Sequence, residues 1–244
     1  MIRSEGKMTG LWDIHCHILP GVDDGAADFK EACRMLYKEY KEGVRNVILT
    51  PHFRKEMFEP SQDLVKRQYL KLRKLAGELL PDMKLYLGCE LHASMEMEQK
   101  LQSGEYLTMA GTRYVLVEFR NGSKSSYIKE RIRQLAAYGY KPIVAHAERY
   151  QAVYGDLEFL EELKDMGALI QMNADSIIGK DGIRMKAFCK KVIRQDLLDF
   201  VGTDGHGMKH RIPEVQACFE RLEKLMGREY AEEIFIDNPG RIVK

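Results

Sequence analysis

Short apolar runs alternate with segments of helical period from one end of the chain to the other. The runs are Leu11-Trp12-Asp13-Ile14, Val47-Ile48-Leu49, Leu85-Tyr86-Leu87, Tyr114-Val115-Leu116-Val117, Ile143-Val144-Ala145, Ala168-Leu169-Ile170 and Phe200-Val201-Gly202. A helix is predicted from about Asp28, because Ala32, Met35, Leu36 and Tyr40 recur at helical steps and Gly43 stands where a C-terminal cap belongs. A longer helix is predicted from the capping Ser61 to Leu80, just before Pro81, with Leu64, Leu70, Leu72, Leu75, Leu79 and Leu80 in a helical pattern. The basic residues among those leucines, Lys66, Arg67, Lys71, Arg73 and Lys74, read as that helix's solvated face. Helical patterns also precede the runs at Ile143 and Ala168. Strands alternating with helices argue for parallel βα units rather than a sandwich or a bundle. Seven strands with no Pro- or Ser-rich linker and no internal repeat predict a closed or nearly closed α/β barrel. An open doubly wound sheet is the alternative, but no Gly-x-Gly-x-x-Gly follows the first run, so its dinucleotide-binding version has no support.

Most of these runs end in a residue able to bind a metal. The first leads into His15-Cys16-His17, the second into Thr50-Pro51-His52, the third into Gly88-Cys89-Glu90 and the fourth into Glu118. Ile143-Val144-Ala145 leads to His146, and the last run passes through Gly202-Thr203 to Asp204-Gly205-His206. In a βα barrel the C-terminal ends of the strands converge, so residues far apart in sequence meet there. One histidine after a strand means little; five of the seven histidines at such positions point to a metal centre. Imidazole and carboxylate ligands without thiolate suit Mn, Zn or Fe, and many carboxylates favour several ions, with manganese the first choice. Strand alternation puts His15 and His17 on one face and Cys16 on the other.

Individual residues also have plainer readings. Glu118 is equally a carboxylate at the barrel mouth paired with Arg120 or Lys124. Asp23 and Asp24 are equally a solvated turn before Gly25, with Asp24 the better ligand candidate. His92 and His210 read as surface histidines, and Asn173 as a hydrogen-bonding residue that fixes a loop.

At 244 residues the length suits a single barrel, so the expected division is an N-terminal extension over residues 1–10 and one domain over 11–244. The 45% hydrophobic and 31% charged composition excludes disorder. Charge is balanced, 38 basic against 37 acidic residues, so nothing advertises nucleic acid or an anionic membrane as partner. No long apolar run predicts membrane insertion, and the first residues lack the apolar stretch of a secretory signal, so a cytoplasmic location is expected. The five cysteines form no Cys-x-x-Cys pair, and none has an arginine six positions later to cradle phosphate. Phosphate hydrolysis by this chain would therefore need a metal.

The string Asp13-Ile14-His15-Cys16-His17-Ile18-Leu19-Pro20-Gly21-Val22-Asp23-Asp24-Gly25 resembles the PHP (polymerase and histidinol phosphatase) superfamily. So do Thr50-Pro51-His52, Gly88-Cys89-Glu90, His146-Ala147-Glu148-Arg149-Tyr150 and Asp204-Gly205-His206. Val22-Asp23-Asp24-Gly25 and the His146-to-Tyr150 string narrow the likeness to the capsule-regulating CpsB/YwqE-type bacterial tyrosine phosphatases. It runs from about residue 11 to Asn238-Pro239-Gly240. The sequence departs from the pattern in about ten residues ahead of the first strand and in Gly207 after His206. The resemblance implies a distorted TIM-like (β/α)7 barrel of PHP fold. It further implies a centre of three ions, usually Mn2+, with Fe or Zn as alternatives. The implied ligands are His15, His17, Asp24, His52, Glu90, Glu118, His146, Asp204 and His206, and the phosphate-binding arginines are Arg149 and Arg211. The implied activity is metal-dependent hydrolysis of phosphotyrosine on a protein, with a cytoplasmic bacterial tyrosine kinase of capsule or exopolysaccharide synthesis as partner. A small-molecule phosphomonoesterase such as a histidinol phosphatase, and a non-catalytic metal-binding regulatory module, are the competing readings. For Arg149 the plain alternative is an ion pair with Glu148 or another nearby carboxylate.

Overall fold

The computed structural model describes residues 8–244, so the first seven residues of the expected N-terminal extension lie outside the described residues. The chain runs β1 (Leu11–Cys16), α1 (Phe29–Lys41), β2 (Val44–Leu49), β3 (His52–Phe53), α2 (Gln62–Leu79), β4 (Lys84–Leu87), β5 (Glu90–His92), α3 (Met97–Gln102) and β6 (Tyr114–Glu118). It continues through α4 (Ser125–Ala137), β7 (Lys141–Val144), α5 (Leu157–Asp165), β8 (Leu169–Asn173), α6 (Ala174–Ile178), α7 (Ile183–Arg194), β9 (Phe200–Gly202), α8 (Gln216–Met226), α9 (Arg228–Glu232) and α10 (Asn238–Ile242). Helix starts follow capping chemistry: Asp28, Ser61 and Asp156 each accept a backbone N–H three residues on, satisfying a donor the helix itself leaves unpaired. Gly43 follows α1 with φ of 93°, a conformation that favours glycine and turns the chain into β2.

Every strand pair is parallel. Among the described residues nine strand segments make seven barrel strands, because β2 and β3 are one strand broken at Thr50-Pro51 and β4 and β5 one strand broken at Gly88-Cys89. The hydrogen-bond ladder crosses the breaks: Gly88 N–H donates to Leu49 O at 2.8 Å and Glu90 N–H to Pro51 O at 3.1 Å. The two edges of the curled sheet meet where Asp204 N–H donates to His15 O at 2.7 Å and His17 N–H to Gly205 O at 2.9 Å. This is the α/β barrel that the alternation of runs predicts, with the distortion that the family resemblance implies.

One hydrophobic cluster fills the space between strands and helices; a second, with Trp12, Ile14, Ile48, Leu116, Ile143 and Phe200, sits on the other strand face and is closed by Ile242 of α10. Because side chains alternate along a strand, the interior can be followed upward in steps of two. Ile48 is followed by Thr50 and His52, Tyr86 by Gly88 and Glu90, Leu116 by Glu118, Leu169 by Gln171 and Asn173, and Phe200 by Gly202 and Asp204. The interior thus changes within one layer from apolar to ligand-bearing. Two strands break phase: in β1 Trp12 and Ile14 belong to the interior cluster, yet His15 and His17 face the site, and after β7 Ile143 and Ala145 belong to it, yet His146, with φ of 34°, is the residue that reaches the site. The irregular register between Asp13 and Cys16 accommodates the change in β1.

Candidate metal centre

The nine expected ligands converge at the C-terminal mouth of the barrel. One ligand atom from each member lies within 4.8 Å of the others in four overlapping groups: His15, His17 and Asp204; His15, Glu90 and His146; His52, Glu90 and Glu118; and His17, Asp24, His52 and His206. Glu90 is the hub. Its Oε2 is 3.2 Å from His15 Nε2, 3.2 Å from His17 Nε2 and 2.9 Å from His52 Nδ1, while Oε1 is 2.9 Å from His146 Nε2. Asp24 lies at the open side, 3.6 Å from His52 Nε2 and 3.5 Å from His206 Nε2. Although Glu90 Oε2 and His52 Nδ1 are buried and close, neither makes a hydrogen bond. Buried polar atoms left in that state are costly unless a further partner sits between them. Carboxylate and imidazole donors held so close, with no thiolate among them, fit divalent cations.

Neighbouring groups fix the imidazoles with a nitrogen free for a metal. The His146 amide can only donate, and it meets Gln171 Oε1 at 2.7 Å, so the atom at that position is the oxygen. The same oxygen meets His15 Nδ1 at 3.1 Å, which therefore carries the proton and leaves Nε2 bare toward Glu90 and Asp204. His206 Nδ1–H donates to Asp204 O at 2.8 Å, with the same result for its Nε2. His17 Nδ1 is 2.8 Å from Asp23 Oδ2, a carboxylate that also accepts the His52 and Gly25 amides, each at 2.9 Å. Such outer partners orient metal-binding histidines and raise their basicity. Gly25 is required because any Cβ there would run into the His17 carbonyl.

The charges of the cluster act on one another. Burial opposes a charged imidazole at His15, but the Glu90 and Asp204 carboxylates outweigh it and raise the pKa; His17 rises well above its ordinary value against the same burial, through Asp23, Asp204 and Glu90. Burial would push Glu90 and Asp204 up, yet the histidines, and Arg211 for Asp204, hold both well below the usual carboxylate range. His206, pressed by burial and by His17, is lowered to about 3 and is neutral at physiological pH. The backbone is strained at the same places: His146 (φ 34°), Asp204 (φ 53°) and Arg211 (φ 51°) adopt left-handed conformations that cost about 1–2 kcal/mol for residues other than glycine.

Arg149 and Arg211 both reach Asp204. Arg149 Nη1 donates to Asp204 Oδ2 at 2.9 Å and Nη2 lies 3.7 Å from Asp181, so it is ion-paired with nearby carboxylates as the plain alternative expects, though with these two and not with Glu148. Arg211 Nη2 meets the same Asp204 oxygen and Nη1 donates to His206 Nε2 at 3.0 Å. Glu118 faces His52, His146 and His92 rather than Arg120 or Lys124. His210 is exposed as expected, whereas His92 is half-buried with Nδ1 3.1 Å from Glu118. Asn173 donates to Asp204 Oδ2 at 2.8 Å, so it braces the site itself. Gln171 and Tyr150, whose hydroxyl is 3.2 Å from His146 Nδ1, are positioning residues that sequence reasoning missed. For Gln171 a clue was present: Gln171 and Asn173 are polar at alternate positions of an otherwise apolar strand.

The chain matches the family described as "Capsular polysaccharide synthesis, CpsB/CapC" over residues 11–244. It is 31% identical over 236 residues to the tyrosine-protein phosphatase CpsB of Streptococcus pneumoniae, covering 95% of this chain and 97% of that protein. It is 33% identical over 218 residues to the tyrosine-protein phosphatase YwqE of Bacillus subtilis, covering 89% and 85%. Among solved structures it superposes with a TM-score of 0.85 and 31% identity, over 91% of this chain and 90% of the other. That structure comes from work on YwqE of Bacillus subtilis and CpsB of Streptococcus pneumoniae, described as "unique metal-dependent tyrosine phosphatases".

Proposed function

This chain belongs to the capsular polysaccharide synthesis CpsB/CapC family, and on that premise we propose that it is a metal-dependent protein-tyrosine phosphatase whose catalytic unit spans residues 11–244. The ligands are His15, His17, Asp24, His52, Glu90, Glu118, His146, Asp204 and His206, and the cofactor is Mn2+, three ions in number. The substrate is a phosphotyrosine protein, a cytoplasmic tyrosine kinase of capsule or exopolysaccharide synthesis, and the enzyme works in the cytoplasm. Among the described residues no helix is long and apolar enough to cross a membrane. The observation that carries the reading is the convergence of nine hard-donor side chains within 4.8 Å groups at the barrel mouth.

Divalent cations held by these nine side chains would polarise phosphoryl oxygens and lower the pKa of water toward neutrality. The chain's own residues do the rest. Gln171, Asp23 and the Asp204 carbonyl hold three imidazoles in orientation, so no reorganisation is needed at the moment of reaction. Arg149 and Arg211, converging on one edge of the cluster from two loops, offer planar forks matched to the equatorial phosphoryl oxygens. A phenolate, with a reference pKa of about 10, leaves without strong demand for a general acid. No thiol takes part, since burial pushes Cys16 and Cys89 well above the ordinary thiol pKa.

The test joins metal analysis of the purified protein to hydrolysis of phosphotyrosine peptides and of histidinol phosphate. Chelation should abolish turnover, Mn2+ should restore it, and kcat/KM should favour the peptides. Undiminished hydrolysis by protein shown by elemental analysis to be metal-free, or a preference for histidinol phosphate, overturns the reading.

A further inference from the structure

The alternation that raises ligands to the barrel mouth continues one step further on three adjacent strands. His52 is followed two residues on by Arg54, Glu90 by His92 and Glu118 by Arg120. β3, β5 and β6 are neighbours in the sheet, so these three side chains share a layer immediately outside the ligand layer. They line a cavity of about 430 Å³ together with Ser94, Tyr106 and Tyr127. Its wall toward the cluster is His92, held by Glu118 at 3.1 Å, so the cavity opens beside the candidate metal cluster.

The cavity's chemistry is that of an anion site. Among the described residues neither Arg54 nor Arg120 has a carboxylate within ion-pair distance, whereas Arg149 and Arg211 are both engaged. Of the other charged residues lining it, Lys55 leans outward on Glu96 at 3.7 Å, and Glu56 is exposed. Ser94 Oγ is buried without any hydrogen-bond partner, a donor that only a further group could satisfy. Two unpaired guanidiniums and an orphan hydroxyl are what a carboxylate or phosphate needs for charge-assisted hydrogen bonds.

We propose that Arg54, Arg120 and Ser94 form a subsite for a second anionic group on the substrate, carried by a residue flanking the scissile phosphotyrosine. The proposal rests on the phosphotyrosine-phosphatase reading of the adjacent centre. It makes the enzyme selective for acidic or multiply phosphorylated stretches of protein over an isolated phosphotyrosine. Selectivity arises because the two arginines stay unpaired, and their desolvation uncompensated, when a neutral residue takes that place.

The Mn2+-loaded full chain tests it with two readouts. Peptides in which a non-hydrolysable phosphonate replaces phosphotyrosine, flanked by Glu, Gln, Lys or a second phosphotyrosine, report affinity; the matching phosphotyrosine peptides report kcat/KM. The wild type should bind the Glu-flanked or doubly phosphorylated peptide about fivefold or more tightly than the Gln-flanked one, the scale of one charge-assisted contact at a half-open site. Added salt should shrink the difference. In the Arg54→Gln/Arg120→Gln double variant the ratio should fall toward one. Arg120→Glu, a change at an exposed position that leaves the core untouched, should turn the preference toward the Lys-flanked peptide. Whichever anion gives the larger ratio identifies the flanking group. Equal affinity for charged and neutral peptides in the wild type, or an unchanged ratio in the double variant, overturns the subsite even if every peptide is hydrolysed. No hydrolysis of any phosphotyrosine peptide overturns the phosphatase reading and the subsite's substrate with it.

Discussion

Gln171→Leu isolates one side chain that touches no substrate and yet should govern metal binding. In the folded protein its oxygen receives the His146 amide at 2.7 Å and His15 Nδ1 at 3.1 Å, and its Nε2 donates to Asn173 Oδ1 at 3.0 Å. Leucine preserves the bulk and removes all three contacts. Each buried donor left unsatisfied costs about 1–3 kcal/mol. With Asn173 Oδ1 left without its donor as well, three groups cost about 3–9 kcal/mol, and the apolar surface of leucine recovers about 1.5–3 kcal/mol, so a net loss of about 2–6 kcal/mol is expected. Urea unfolding of the metal-free protein measures it. The functional effect is separate: with Nδ1 no longer held, His15 loses the orientation and tautomer that leave Nε2 bare, and metal affinity should fall about 10- to 100-fold. Calorimetric titration with Mn2+ measures that. Gln171→Glu is the control, since it keeps both acceptor contacts and should bind metal at least as tightly as the wild type. A leucine variant that is destabilised but binds Mn2+ with wild-type affinity would refute the orienting role. Wild-type stability would refute the hydrogen-bond argument itself.

Arg149→Ala should lower kcat/KM on phosphotyrosine peptide by about 2–4 kcal/mol in barrier, with Arg149→Lys also impaired because it keeps the charge and loses the fork, while metal content stays normal. Arg211→Ala should show the same signature more weakly, because its side chain is the more exposed of the two; near-normal kcat/KM for Arg149→Ala contradicts the phosphate-gripping role. Thiol alkylation of the folded protein should reach Cys33 first, the one half-exposed cysteine, and leave most activity intact; mass-spectrometric detection of a phosphocysteine intermediate would falsify the claim that no thiol is the nucleophile. Glu39 is fully buried beside Asp13, and burial, followed by the charge of Asp13, raises its pKa well above the ordinary carboxyl range. The folded state therefore holds this proton more tightly than the unfolded one, and stability from this group falls as pH rises from about 4.5 toward the raised pKa. Glu39→Gln should remove that loss, so unfolding measured from pH 5 to 8 should show the variant gaining on the wild type as pH rises; a constant difference would contradict the assignment.

The sequence by itself determined the seven strands, the long helix from Ser61, and the side on which chemistry gathers. These follow from local rules: a period of two for strands, a period near 3.6 for helices, caps at helix starts, and the convergence of strand ends in any βα barrel. His15, His17, His52, Glu90, Glu118, His146, Asp204 and His206 were legible for that reason, as polar residues standing where apolar runs stop. The two arginines lie in loops, where no period applies, and were reached only through a resemblance of motifs; Asp24, also in a loop, stayed open between ligand and solvated turn without it.

Tertiary structure alone decided the rest, because it depends on contacts between strands far apart in the chain. The break at Thr50-Pro51, the break at Gly88-Cys89 and the phase change in β1 are set by how neighbouring strands register, which no single run encodes. Gln171 could be seen as a polar residue in an apolar strand, but its partners are 25 and 156 residues away. His92 read as a surface residue because it lies in a polar segment just past the expected strand end; it is the sheet order β3-β5-β6 that lays it beside Arg54 and Arg120. Local sequence fixes which way a side chain points along its own strand. What it points at is fixed by the curl of the sheet, which brings the end of β9 back against β1 and so turns a row of strand ends into a ring around one buried carboxylate, Glu90.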